Sequence, residues 1–215
     1  MRRRIIPILL LKGQGLYKTR KFKNETYIGD PINAVRIFND KEVDELAFLD
    51  ISCSRNGSEP NIEMLKDIAG ECLMPLSYGG GIRSVEMVGK LLAIGIEKVI
   101  VNSAAWSDPN LIGSLAENFG KSTIVGSIDV RSNWRGNYQV FINGGSEKIP
   151  VGPEEWAREL ETQGVGEIII NSIDRDGGME GYDLSLVARI AEAVSVPVIA
   201  AGGASSIKDF QMAIK

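Results

Sequence analysis

The chain has 215 residues, 44% hydrophobic and 24% charged, with a formal net charge of −4 and no histidine. That length and balance describe a globular protein with enough residues for a sizeable core, and the mild acidity argues against a broad nucleic-acid footprint, which requires clustered Lys and Arg. Without histidine the chain holds no Ser-His-Asp triad, no Cys-His pair, no imidazole metal ligand and no imidazole proton shuttle, so acid–base chemistry falls to carboxylates, Lys, Tyr or Cys.

Met1-Arg2-Arg3-Arg4 followed by the apolar run 5–11 has the outline of a signal peptide. The run is short, contains Pro7 and leads into Lys12-Gly13 without a small-residue cleavage site, so a buried strand explains it better. No other apolar run approaches membrane-spanning length, and a cytoplasmic location is expected. Cys53 and Cys72 lie outside any C-x-x-C arrangement and fit reduced core or near-core cysteines.

In chain order, strands are predicted over 4–11, 46–51, 74–77, 98–102, 123–130, 167–172 and 196–200. Helices are predicted over 34–40, 61–71, 84–94, 109–119, 153–163, 184–193 and 206–214. The strand runs lack polar alternation, as parallel strands buried on both faces do. Such a βα repeat builds either an open doubly wound sheet or a closed (β/α)8 barrel. Internal repetition favours the α/β barrel: Pro75-Leu-Ser-Tyr-Gly-Gly-Gly-Ile-Arg-Ser84 is echoed by Pro197-Val-Ile-Ala-Ala-Gly-Gly-Ala-Ser-Ser206, and Phe48-Leu-Asp-Ile51 by Asn171-Ser-Ile-Asp174. The chain therefore reads as one domain, 1–215, made of two (βα)4 half-barrels. Segment 12–30 is a long loop after the first strand, and its length favours a mobile lid. Segment 131–150, carrying Asn143-Gly144-Gly145, reads as a hairpin after the fifth strand. Both emerge at the carboxyl ends of the strands, where barrel active sites lie.

Glycine placement supplies candidate anion sites. Gly79-Gly80-Gly81 and Gly202-Gly203 each follow a strand and precede a helix, and Asp176-Gly177-Gly178 adds a third loop of this kind. Bare amides near a helix start attract phosphate, so the symmetry-related pair suggests a substrate with a phosphate at each end. Asp50, Asp129, Asp174 and Asp176 close or follow apolar strands, where an unpaired charge is costly. Function is favoured for Asp129, whereas a structural hydrogen-bond network is as good an explanation for Asp50 and Asp174. Arg4, Glu45, Lys98 and Glu167 each stand just before an apolar strand, and in a closed barrel they could meet over the axis as a balanced gate. No metal site and no cofactor is expected.

Together these residues resemble the cyclase subunit of imidazole glycerol phosphate synthase, the HisF family of histidine biosynthesis. The resemblance runs from Arg4 to the last residue through Arg4-Ile-Ile-Pro, Asp44-Glu-Leu-Ala-Phe-Leu-Asp-Ile, Gly79-Gly-Gly-Ile-Arg-Ser, Lys98-Val-Ile-Val-Asn-Ser-Ala-Ala, Ser127-Ile-Asp-Val, Gly166-Glu-Ile-Ile-Ile-Asn-Ser-Ile-Asp-Arg-Asp-Gly and Ala201-Gly-Gly-Ala. It implies a (β/α)8 barrel that receives ammonia from a glutaminase partner at its N-terminal face. Ammonia would pass through the axis, gated at Arg4, Glu45, Lys98 and Glu167, and attack a bis-phosphorylated ribulosyl aminoimidazole carboxamide at the other face. It also implies a catalytic role for Asp129 and substrate or phosphate contacts for Lys18, Asp50, Gly80, Gly81, Asn102, Asp176, Gly177, Gly202 and Gly203. Asn171 and Gly178 stand where the family usually has Thr.

One departure matters more. The family's other general acid–base aspartate falls where this chain has Leu10, and losing one of two carboxylates should cost orders of magnitude in cyclisation rate. Leu10 with Gly29-Asp-Pro-Ile-Asn-Ala-Val35 looks more like a divergent branch associated with surface-polysaccharide gene sets, whose members are thought to pair with a glutaminase and a sugar amidotransferase. The leading expectation is an ammonia-conducting subunit with altered cyclase activity acting in sugar amidation. An authentic histidine-pathway cyclase and a non-catalytic scaffold that activates a glutaminase are the alternatives. Against an eight-unit barrel the chain is short: no eighth βα unit follows the seventh helix, so a fragment or a truncated, poorly active form is expected.

Overall fold

The computed structural model describes residues 3–53 and 57–214. Strand β1 (Ile8–Lys12) leads into an antiparallel ribbon of β2 (Gly15–Arg20) and β3 (Lys23–Gly29). There follow α1 (Pro31–Asp40), β4 (Leu46–Asp50), α2 (Ile62–Glu71), β5 (Leu76–Gly79), α3 (Val85–Ala93), β6 (Lys98–Val101), a short α4 (Ser103–Ser107) and α5 (Leu111–Phe119). The rest comprises β7 (Ile124–Ser132), β8 (Tyr138–Ile142), β9 (Glu147–Lys148), α6 (Pro153–Gln163), β10 (Glu167–Ser172), α7 (Leu184–Ala193), β11 (Val198–Ala201) and α8 (Ile207–Ile214).

Helix starts follow local side-chain chemistry. Asp30, Asn61, Ser84 and Asp183 each accept a hydrogen bond from the backbone amide three residues on, and Pro31 and Pro153 sit in first turns where no amide partner is needed. Between the helices, seven parallel strands form a curled sheet in the order β11-β10-β7-β6-β5-β4-β1. Side-chain alternation sends successive residues to opposite faces. Ala47, Ile100, Val125 and Ile169 line the inner face with Ile6, Ile8, Leu49, Ile199 and Ala201. Their neighbours Phe48, Tyr78, Val99, Ile128, Ile168 and Ile170 face outward and pack on helix residues such as Val35, Leu65, Val88, Leu115, Leu160 and Ile190. Each such side chain, fully buried, contributes roughly 1.5–3 kcal/mol, so the strand–helix layer carries most of the stability and the inner layer lines an axis.

This is the α/β architecture expected, as a curled sheet that makes a partial barrel. Among the described residues β1 and β11 are not bonded to each other, and a cleft of about 1410 Å3 opens along the inner face. The consequence is visible in burial: all four residues of β11 are partly exposed, whereas Ile168 and Ile170 of β10 are sealed.

Two departures from expectation have local causes. Segment 12–30 is a paired ribbon: Leu16 is buried, Tyr17 and Tyr27 meet edge to face at 5.7 Å, and the reversal uses Lys21 and Phe22 at φ of 54° and 61°. A left-handed two-residue turn made without Gly or Asn gives no sequence signal. Strand β1 begins at Ile8 because Pro7 has no amide to donate and the Ile5 amide donates to the Asp44 side chain, while the Pro7 carbonyl already accepts from Ala47 of the neighbouring β4. In segment 131–150, β7 runs on to Ser132 and pairs with β8 through a turn at Asn133–Gly136, and Asn143–Gly145 makes the second reversal before β9. Both cysteines are free, and among the described residues no helix is long and apolar enough to cross a membrane.

Candidate active site

Four charges stand at the amino ends of the strands. The Arg4 guanidinium bridges Glu45 at 2.6 Å and Glu167 at 2.7 Å, and the Lys98 ammonium touches the same two carboxylates at 3.0 and 3.2 Å. Glu45 immediately precedes β4 and Glu167 opens β10, strands that hold corresponding places in the two halves, so the cations alternate with symmetry-related anions. Ser77 completes the arrangement by donating to Glu45 at 2.6 Å from the inner face of β5. Sequence reasoning missed Ser77; its small hydroxyl inside an apolar strand was the available signal. Above this floor the apolar inner layer begins.

At the carboxyl ends the inner face turns polar around Asp129 on β7. Asn102, just past β6, donates to the Ser127 carbonyl at 3.0 Å and to the Asp129 carboxylate at 3.1 Å. Asn171 lies directly beside Asp129 in the parallel register of β10, where its amide favours the charged carboxylate. Burial pushes the Asp129 carboxyl up to about 7; the two amides pull it back, and the charge of Asp176 adds to the rise. A carboxyl poised near neutrality can take up or release a proton at physiological pH, which an ordinary Asp cannot. Leu10 lines the same cleft. It pairs in register with the inner residue Leu49 and shares a face with Ile8, so an apolar side chain stands where β1 could have presented a second carboxylate.

The glycine loops repeat one geometry. Gly80 follows β5 at φ 127° with space for no Cβ, because a Cβ would lie 2.6 Å from the Asp50 carbonyl; Gly202 follows β11 at φ 85°, where a Cβ would lie 2.7 Å from the Ser172 carbonyl. Each loop thus rides on the end of the preceding strand, and Gly81 and Gly203 continue it with left-handed backbone. The helix starts beyond are already engaged. Ser84 caps the Met87 amide, and the amides of Ser205 and Ser206 donate to Asp209 at 3.0 and 2.8 Å. Any anion at these loops would therefore meet the glycine backbone before the helix termini.

The other candidates divide. Asp50 turns outward from β4 and accepts from the Ser52 amide and hydroxyl and from the Cys53 amide and thiol, the hydrogen-bond network its position allowed. Asp174 accepts from the Ser132 amide at 2.8 Å. Asp176 is the anchor of the β2–β3 ribbon: its carboxylate accepts from the Thr19 hydroxyl at 2.7 Å and the Phe22 amide at 3.0 Å, and its carbonyl accepts from Lys21. Gly177 lies under the Thr19 carbonyl, where a Cβ would collide. Lys18 is exposed on the ribbon and lines the cleft with Asn102, Asp129, Asn171 and both glycine loops. Among the described residues no group of three or more His, Cys, Asp or Glu could hold a metal ion.

Comparison with known proteins places this geometry. A family model described as a histidine biosynthesis protein matches residues 4–215. A Pseudomonas aeruginosa protein provisionally named imidazole glycerol phosphate synthase subunit hisF2 is 54% identical over 97% of this chain and 83% of its own length. Imidazole glycerol phosphate synthase subunits HisF from Alkaliphilus metalliredigens and Streptomyces coelicolor are each 39% identical, over 97% and 99% of this chain and 82% and 84% of their own lengths. On the floor, rim and repeated loops as on these matches, the chain belongs to the histidine biosynthesis family and is a homologue of the HisF subunits of imidazole glycerol phosphate synthase.

Proposed function

We propose that this subunit takes ammonia from a glutaminase partner at its charged floor and delivers it along the inner axis to a phosphorylated or nucleotide-linked acceptor held over Asp129. The observation that carries the reading is the pairing of an intact floor with a rim where the buried Asp129 carboxyl stands on the inner face among amides. The floor supports it because a closed ring of paired charges can part for a small neutral molecule, and the apolar axis above favours ammonia over ammonium, whose desolvation is costly. The rim supports it because Asp129 is poised near neutrality and the two glycine loops flank it, as a substrate with separated phosphates requires. Asp129 would act as acid and base in turn, Asn102 and Asn171 would hold its carboxylate, and the β2–β3 ribbon with Lys18 would cover the acceptor and exclude water.

With Leu10 where β1 would otherwise present a second carboxylate, cyclisation of the histidine-pathway substrate is expected to be slow, and amidation of a sugar, with a sugar amidotransferase as a further partner, is the proposed use of the ammonia. The second reading, an authentic histidine-pathway cyclase, is favoured by the names of the relatives, including the two HisF subunits at 39% identity. Purified protein supplied with ammonium salt and the bis-phosphorylated ribulosyl aminoimidazole carboxamide separates them. Turnover orders of magnitude below that of a HisF subunit supports the first reading, and comparable turnover or rescue of a histidine auxotroph establishes the second.

A further inference from the structure

The Asn171 side-chain oxygen is buried and makes no hydrogen bond among the described residues. An orphaned buried acceptor costs roughly 1–3 kcal/mol, so such an atom calls for a partner. Its surroundings narrow the choice. Asn171 stands between Asp129 and Ala201 in the sheet register, with its nitrogen toward Asp129 and its oxygen 2.9 Å from where a Gly202 Cβ would be. A larger residue at 202 would occupy that space. Directly below on the same face of β10 lies Ile169, part of the apolar inner layer. The orphan is thus an acceptor at the upper end of an apolar axis, beside an acidic group and below a glycine loop. A phosphate or carboxylate is excluded, because it offers no donor to an amide oxygen at neutral pH.

We infer that the Asn171 oxygen and the Asp129 carboxylate form a receiving site for ammonia at the exit of the axis. Ammonia carries three N–H donors and one lone pair. Two donors go to these two acceptors, and the lone pair is left facing the acceptor over the glycine loops. The Asn102 oxygen, by contrast, already accepts from the Ser103 hydroxyl at 3.1 Å. The inference rests on the ammonia reading above but concerns one atom of the rim.

Two measurements on the full chain test it. In the first, the side-chain amide resonances of 15N-labelled protein are followed at pH 9 during titration with ammonium chloride, with sodium chloride as the control, and the Asn171 signal is identified by its loss in Asn171→Thr. A saturable movement of that signal with ammonium only supports the site; an unmoved signal, as a resident water would give, overturns it. In the second, Asn171→Leu should raise the KM for ammonium about 10-fold and leave the KM for the phosphorylated acceptor within 2-fold, while Asn171→Thr, which keeps an acceptor oxygen, recovers much of the loss. Equal rises in both constants overturn the assignment. Failure of the ammonia reading looks different: the signal moves with ammonium, yet no phosphorylated acceptor is turned over.

Discussion

At the floor of the curled sheet four charges neutralise one another within hydrogen-bonding distance, whereas at the rim of the same strands one carboxylate stands among amides and glycine. Both ends place charge beside an apolar interior, but only the rim leaves its charge without a cation. Paired charges give structure; a lone desolvated carboxyl has a proton to exchange. The two ends of the same strands therefore serve a structural and a titratable role, and substitutions at them should fail in different ways.

The largest contrast is in rate. In the proposed reaction Asp129→Asn should lower ammonia-dependent product formation by about 10^3-fold or more while the protein stays folded, since amide geometry is kept and the proton is not. Assay with saturating ammonium checks it, and undiminished pathway output would instead favour the scaffold reading. Glu45→Ala at the floor should do the reverse. It deprives Arg4, Lys98 and Ser77 of their shared acceptor, and breaking a buried charge network costs about 3–5 kcal/mol, seen as a lower urea midpoint.

Titration sharpens the difference further. The Asp129 carboxyl is raised from 3.8 in the unfolded chain to about 7 in the fold, so the folded state binds the proton more tightly. The stability this confers is complete below about pH 4 and disappears as pH rises through about 7, an effect of order 2–4 kcal/mol. Because the chain has no histidine, only the α-amino group ordinarily titrates in the same window. Urea midpoints should therefore fall between pH 5 and pH 8 in the natural protein and stay nearly level in Asp129→Asn. A midpoint that falls equally in both would remove Asp129 as the cause.

How much of this was legible in the sequence follows from the range of each interaction. Strand runs such as 167–172 and helices such as 153–163 and 184–193 coincide with the structure because they depend on local pattern and caps. The floor was legible too, since a charge before each of four apolar strands converges once the strands are parallel. Ser77 at Glu45 and the double role of Asp176 were not, because they join residues far apart in sequence. Nor was the ribbon, whose turn residues Lys21 and Phe22 adopt left-handed backbone without the usual residues. Asp50 closes β4 and Asp129 lies within β7, each after an apolar run, and their orientation, outward for one and inward for the other, separates a loop anchor from a candidate acid.

The smallest expected effect concerns movement, and here too rim and floor should part. The ribbon is held over the cleft chiefly by Asp176, through the Thr19 hydroxyl, the Phe22 amide and the Lys21 amide. Replacing the carboxylate in Asp176→Ala removes the first two contacts and leaves the third, so closure should weaken by about 1–2 kcal/mol without global unfolding. Hydrogen exchange at the Phe22 amide should quicken roughly 10-fold, and cleavage by trypsin between Lys18 and Lys23 should rise in step. The amides of β4 and β10, whose first residues carry or adjoin the floor charges, should exchange as before, because nothing in the ring at Arg4 and Lys98 depends on the ribbon. Should those strands also exchange faster, the two ends of the barrel would be coupled through the sheet, and the separation between a fixed floor and a mobile rim would have to be given up.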